Sequence, residues 1–91
     1  MGKLKVGAIT YSIVESSIPD YGSIDYETQT ISIRKGLAKD ARDVTLWHEV
    51  IHAIMYNMGH VNHDEIIVDG IAHGVLQCLR DNPQLRGGKH G

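Results

Sequence analysis

Two histidines and a glutamate lie close together in the middle of the chain, in the order His48-Glu49-Val50-Ile51-His52. On a helix, His48 and His52 share one face, with Cβ atoms about 5–6 Å apart. Two imidazoles at that spacing can bind one zinc ion at about 2.0–2.1 Å per Zn–N bond. Glu49 is rotated away from both rings and can act on a nearby water as a general base. The spacing therefore predicts an HExxH zinc site.

Such a site needs a third protein ligand and an open position. A carboxylate is available on the next predicted helix, in Asp64-Glu65-Ile66-Ile67-Val68-Asp69. Glu65 and Asp69 are four residues apart and share a helix face. Glu65 can supply the third ligand, and Asp69 can accept the free ring N–H of a ligating histidine. Asp64 and Asp69 compete with Glu65 for the ligand role, and acidic residues are common in a first helical turn without any metal.

An HExxH motif followed by ExxxD on the next helix resembles the gluzincin group of zinc metallopeptidases. The short chain and the segments 22–26 and 30–34 before the motif are most similar to the minimal versions of that fold. These are the minigluzincins and the phage- or prophage-associated ImmA/IrrE-like metallopeptidases. The resemblance covers residues 23–82 and implies Zn²⁺ as the cofactor, with the ligand and base roles given above.

The resemblance also implies a substrate site on the strand that precedes the motif. In the larger gluzincins, that strand is the sheet edge beside the zinc and pairs with the substrate backbone. Here it consists of Ser23, Ile24, Asp25 and Tyr26, with residues 31–34 as the inner neighbour. The sequence leaves open whether Asp25, or Ile24 and Tyr26, direct N–H groups outward. The alternative is an ordinary exposed hairpin.

The leading functional prediction is a zinc-dependent metalloendopeptidase in which Glu49 takes the proton of the attacking water. The alternative is a metal-binding regulatory or interaction module with little or no turnover. The presence of Glu49 favours the enzyme, because structural zinc sites need no base and are usually closed by four ligands rich in Cys. The chain contains one cysteine. A group that could stabilise an oxyanion is not identified, and the candidates are Tyr26, Tyr56, His60 and His73.

Composition excludes several other classes of protein. The 91 residues carry a net charge of −2 and are 42% apolar, which is typical of one small globular domain. Basic residues are scattered, which argues against a nucleic-acid partner. We find no signal peptide or membrane span and a single cysteine, and we predict a cytoplasmic protein. The resemblance implies a peptide or protein substrate, for example a repressor-type regulator, and the oligomeric state stays open.

Alternating apolar residues predict the strands that must support the site. Residues 3–13 read as a strand with a bulge or change of face near Gly7. Residues 23–26 and 31–34 read as a hairpin. Because strands precede helices, we predict an α+β, minimal zincin-like fold. Its small antiparallel-containing sheet is followed by an active-site helix and a second helix that carries the third metal ligand.

Helical spacing of apolar residues predicts those two helices. The first begins near Lys39 and ends at Gly59, and the second runs from an N-cap at Asn62 to Asn82. The loop histidines between them, His60 and His63, are expected in solvent. Cys78 and Trp47 are expected in the core. Residues 1–85 are predicted to form one domain, and residues 86–91 a disordered tail.

Overall fold

The computed structural model describes residues 2–87, in which four strands precede two long helices. The strands are β1 (Gly2–Val6), β2 (Ile9–Ser16), β3 (Gly22–Asp25) and β4 (Thr30–Arg34). The helices are α1 (Lys39–Asn57) and α2 (Glu65–Asp81), followed by a 3₁₀ turn at Pro83–Leu85. The predicted α+β class is confirmed. Most of the predicted tail, residues 88–91, lies outside the described residues.

The sheet is mixed, and its strands follow the order β1-β2-β4-β3. β1 and β2 form an antiparallel hairpin, β4 pairs parallel to β2, and β3 pairs antiparallel to β4. Within residues 2–87, β3 has a neighbour on one side only and is therefore an edge strand. The predicted hairpin is confirmed, except that Tyr26 lies in the turn after β3 rather than in the strand.

The predicted bulge near Gly7 is wrong, because the chain reverses direction there. Gly7 and Ala8 form a two-residue turn that pairs Val6 with Ile9. Gly7 has a φ of 61°, and a positive φ at the first turn residue is the feature for which type II′ hairpins take glycine. The Asn57 side-chain amide donates to the Val6 carbonyl at 2.8 Å, which fixes the end of α1 to this hairpin.

The core lies between one face of the sheet and α1. Tyr11, Ile31 and Ile33 are almost completely buried, and Ala53 of α1 packs against them. Burial of one large apolar side chain contributes about 1.5–3 kcal/mol. α1 is thus held firmly on the sheet, with its remaining faces available to other elements.

α2 packs on α1. Val68 and Ala72 are fully buried against Ile51, and Trp47 packs beside them, as predicted. Cys78 is exposed, so its predicted place in the core is wrong. It lies two residues beyond the buried Leu76, and a helix turns by about 100° per residue, which directs the two side chains to opposite faces.

The helix ends are set by local side chains. Asp64, rather than the predicted Asn62, is the N-cap of α2, and its Oδ1 accepts from the Ile66 and Ile67 N–H groups at 2.9 and 3.4 Å. The predicted glycine end of α1 is confirmed at Gly59, which has a φ of 89°. No helix in the described part of the chain is long and apolar enough to cross a membrane.

Candidate metal centre

His48 and His52 lie one turn apart on α1, on the side that faces the beginning of α2. Their Nε2 atoms are 3.2 Å apart, and their ring centroids are separated by 4.9 Å. The side chains are 22% and 12% exposed, respectively. Burial lowers the pKa of His52, which favours the neutral ring that metal binding requires. The two rings therefore converge as the HExxH spacing predicts.

Glu65 brings a carboxylate to the same point. Both of its oxygens lie 3.0 Å from His52 Nε2, and Oε2 lies 3.4 Å from His48 Nε2. Ligand atoms of the three residues all lie within 4.8 Å of one another, so the group could hold a metal ion. Asp64, a competitor for the ligand role, is engaged instead as the cap of α2.

The outer nitrogen of His48 faces the carboxylate of Asp69, as predicted. His48 Nδ1 and Asp69 Oδ1 are 3.3 Å apart. An ionised carboxylate only accepts hydrogen bonds, so His48 Nδ1 is the donor. In the neutral ring the Nε2 lone pair is then directed toward His52 and Glu65. His73 Nε2 also lies near this carboxylate, at 3.6 Å from Asp69 Oδ2, which is beyond hydrogen-bonding distance.

His63 is a site residue that sequence reasoning missed, and its expected place in solvent is wrong. Its Nδ1 lies 2.6 Å from His52 Nδ1, and its Nε2 contacts the His60 carbonyl oxygen. It lies in an irregular loop, where hydrophobic periodicity carries no information on side-chain direction. The only available cue was the presence of a histidine between the two motif helices.

The ligand chemistry fits a metal ion. Two imidazole nitrogens and one carboxylate form a known donor set of catalytic zinc sites, which leave the fourth position open. Asp69 and His63 contact the outer nitrogens of the two rings, and such partners orient metal-ligating histidines. The three inner groups all present lone pairs to one small volume, and a cation removes their mutual repulsion.

Glu49 lies beside these groups and is 6% exposed. Burial raises its pKa from 4.5 to about 7, against the opposing effect of His48, and the charges of Glu65 and Asp20 add to the rise. A carboxyl group with a pKa near the working pH is suited to general acid–base chemistry.

Gly22 of β3 allows the close approach that buries Glu49. A Cβ at this position would lie 2.6 Å from Thr45 Cγ2 and 3.0 Å from Glu49 Oε2. The first distance is shorter than real Cβ contacts and the second is tight, so the Thr45 and Glu49 side chains would have to shift to accommodate any other residue at position 22. The edge strand thereby forms one wall of the site.

An open cleft of about 980 Å³ extends over the site between β3 and the two helices. Of the four predicted substrate residues, Ile24 and Tyr26 line this cleft. Ser23 and Asp25 do not line it, because they alternate with Ile24 along the strand and belong to its other face. Among the candidate oxyanion donors, Tyr26 and His73 line it. The Tyr26 ring is stacked on Tyr56, with centroids 3.9 Å apart.

The register of β3 and β4 shows which backbone groups face the open edge. The Arg34 N–H donates to the Tyr21 carbonyl at 2.8 Å, one position before the pair Gly22 and Ile33. Hydrogen-bonded pairs alternate in an antiparallel ladder. The backbone groups of Ser23 and Asp25 therefore face β4, and those of Gly22 and Ile24 face outward. The sequence left open whether Asp25 or Ile24 directs its N–H group outward, and the structure shows that it is Ile24.

Comparisons of the chain with protein-family models, curated proteins and solved structures found no match. Two histidines and a carboxylate occur in several kinds of metal site. The three groups alone therefore do not identify a function, and the surrounding features that bear on it are the buried carboxyl group of Glu49 and the open edge of β3.

Proposed function

We propose that the chain is a zinc-dependent metalloendopeptidase of the gluzincin type. The observation that carries the proposal is the buried carboxyl group of Glu49 beside three converging ligand groups, His48, His52 and Glu65. Burying an ionisable carboxyl group costs free energy. A metal site that only stabilises a fold has no need of it, whereas hydrolysis requires a base at this position.

Each residue has a distinct role in the proposed reaction. Zinc, when bound, polarises the substrate carbonyl and activates water for attack at neutral pH. Glu49 takes the proton of the attacking water on its carboxylate and passes it to the leaving amine. Asp69 holds the ring of His48 in place. Tyr26, which lines the cleft, donates a hydrogen bond to the developing oxyanion, and burial raises its pKa so that it keeps its proton.

The proposed substrate is an extended segment of a peptide or protein. Gly22 and Ile24 direct unpaired backbone groups outward at the wall of the cleft, and an extended peptide can satisfy them as an added strand. Through its resemblance to phage- and prophage-associated peptidases, the chain is expected to act in the cytoplasm on a repressor-type regulator.

A regulatory or interaction module is the second candidate, and exposed apolar side chains beside the site favour it. Val61, Ile66 and Ile67 are 70%, 84% and 54% exposed. The three side chains belong to the loop before α2 and to its first turn, and large exposed apolar surface marks sites of protein interaction. In such a module the metal would stabilise the contact between the two helices, and Glu49 would be dispensable.

Zinc content and peptide cleavage measured on the same samples separate the two candidates. The parent protein should bind about one zinc per chain and cleave peptides from a random-sequence library. Glu49→Gln should keep its zinc and lose roughly 10²–10⁴-fold in turnover, because the base is removed from a nearly isosteric side chain. Glu27→Gln, at an exposed carboxylate outside the cleft, is the control. Equal turnover of Glu49→Gln and the parent would refute the peptidase, and zinc binding without cleavage would favour the module.

A further inference from the structure

His63 connects a ring nitrogen of His52 to the backbone of the loop between the two helices. Its Nε2 contacts the His60 carbonyl oxygen. A carbonyl oxygen can only accept, so His63 Nε2 carries a proton and donates it. In a neutral imidazole the other nitrogen is then an acceptor, which leaves a lone pair on His63 Nδ1.

That lone pair faces His52. The two Nδ1 atoms are 2.6 Å apart, which is too close for two unprotonated nitrogens, so one proton lies between them. Since His63 Nδ1 accepts, His52 Nδ1 donates. The ring centroids are 4.8 Å apart, nearly as far as this nitrogen contact allows, so the contact lies close to the plane of both rings, where the N–H bond and the lone pair point.

We propose that His63 is a positioning residue that fixes His52 as the tautomer protonated on Nδ1 and so directs the Nε2 lone pair toward the metal-binding group. His52 Nε2 also lies 3.0 Å from both Glu65 oxygens, a contact that needs a proton of its own when no metal is bound, and a bound metal ion would replace that proton. The consequence for metal binding rests on the proposed function, whereas the tautomer itself does not.

The two ligating rings are then oriented by different chemistry. His48 donates to a carboxylate, Asp69, whereas His52 donates to a neutral imidazole. His63 is not itself placed as a ligand, because one of its nitrogens faces His52 and the other faces the His60 carbonyl. It also directly precedes Asp64, the cap of α2, so the loop that starts α2 also sets the ring of His52.

The direct test is a ¹⁵N NMR measurement on the histidine rings, made above the ordinary imidazole pKa of about 6.5, with and without Zn²⁺. We expect a scalar coupling across the hydrogen bond between His52 Nδ1 and His63 Nδ1, with the proton on His52. We also expect His63 to be protonated on Nε2. Absence of this coupling from the zinc-free spectrum, or a proton on His63 Nδ1, would overturn the inference. The zinc-free spectrum decides it even if the protein takes up no zinc, a result that would refute only the proposed function.

Variants at position 63 test the consequence for Zn²⁺ affinity. His63→Phe keeps a ring and removes the acceptor, and it should weaken Zn²⁺ binding about 10–100-fold, the usual effect of losing a partner of a metal-ligating histidine. His63→Asn places an amide oxygen near the position of Nδ1 and should recover much of this loss. His60→Ala keeps the backbone carbonyl and should bind Zn²⁺ like the parent. Equal affinity of His63→Phe and the parent would show that His63 does not position His52.

Discussion

Each of the three groups that converge beside Glu49 is held by a neighbour of different chemistry. Asp69 holds His48, His63 holds His52, and the capped first turn of α2 carries Glu65. Side chains that are already oriented lose less conformational freedom when a ligand binds. At the residue scale, the site therefore resembles a preorganised centre. Substitutions at adjacent residues should change either zinc affinity or the free energy of unfolding, depending on which role the residue has.

The adjacent acidic residues Asp64 and Glu65 provide the sharpest separation. Glu65→Ala should abolish tight zinc binding, because it removes one of three ligands. Asp64→Ala should retain zinc but lower the free energy of unfolding by about 0.5–2 kcal/mol, because it removes the cap of α2. Titration with Zn²⁺ and chemical denaturation of both variants with chelator present would measure the two effects. If Asp64→Ala lost zinc and Glu65→Ala kept it, Asp64 rather than Glu65 would be the metal ligand.

Glu49 should make the metal-free protein less stable as the pH rises. Its pKa is about 7 when folded and near 4.5 when unfolded, so the folded state binds more protons between these values. The contribution of the protonated group is fully present below pH 4.5 and is lost as the pH rises through 7. Glu49→Gln removes this dependence and should be more stable than the parent at pH 8, by on the order of 3 kcal/mol.

Urea denaturation at a series of pH values, with chelator present, would measure this difference. The gap between Glu49→Gln and the parent should widen from pH 4.5 to 7 and remain constant above that range. Glu27→Gln, at an exposed position, should show no such widening. A gap that is independent of pH would mean that Glu49 is ionised in the folded protein throughout this range.

Four residues of the site could be predicted from the sequence, because the regular spacing of a helix is enough to place them. His48 with His52, and Glu65 with Asp69, are each four residues apart, and the structure brings all four together. His63 could not be found in this way. Its direction depends on the path of an irregular loop and on one contact with a backbone carbonyl, neither of which has a periodic signature.

At the scale of elements, both helices could be predicted closely, and the strands less so. Val6 and Ile9 lie on one sheet face although the number of residues between them is even. A bulge and a two-residue turn both change the parity of the apolar residues, so the pattern alone could not distinguish them. The sequence also does not distinguish the N-cap of α2, which is Asp64, from the predicted Asn62. Asn62 and Asp64 are both good N-caps, and the choice between them depends on where the loop ends.

The edge strand permits a specific test of substrate binding. Ile24→Pro removes an outward N–H group and should lower peptide cleavage roughly tenfold, the effect of losing about one backbone hydrogen bond. Zinc content should stay at the parent level, because no ligand lies on β3. Cleavage rates and metal content of the same preparation would be compared.

Two variants control for changes other than the lost N–H group. Ile24→Ala also shortens the side chain but keeps the N–H group, so the backbone effect is the difference between it and Ile24→Pro. Asp25→Pro should instead destabilise the hairpin, because the Asp25 backbone faces Thr30 of β4. If folded, zinc-loaded Ile24→Pro cleaves peptides as fast as Ile24→Ala, the substrate does not pair with this edge.

At the scale of the whole molecule, the site lies where three layers meet. The sheet contributes the wall at Gly22, α1 contributes His48, His52 and Glu49, and α2 contributes Glu65. α2 reaches the sheet only through α1 in the described part of the chain, and its apolar contact is small, with Val68 and Ala72 at the centre. A metal ion bound by His48, His52 and Glu65 would link the two helices at the end of this contact.

Zinc should therefore raise the thermal stability of the whole domain. A ligand that binds only the folded state at a free concentration of 100 times its Kd adds about 2.7 kcal/mol. For a domain of this size, 1 kcal/mol raises Tm by roughly 4–8 °C, so the expected increase is about 10–20 °C. Calorimetry with zinc and with chelator would measure it. Glu49→Gln should keep the increase, because Glu49 is not a ligand, whereas His52→Ala should lose it. An equal increase in His52→Ala would show that zinc binds elsewhere, since the chain has four other histidines besides this pair.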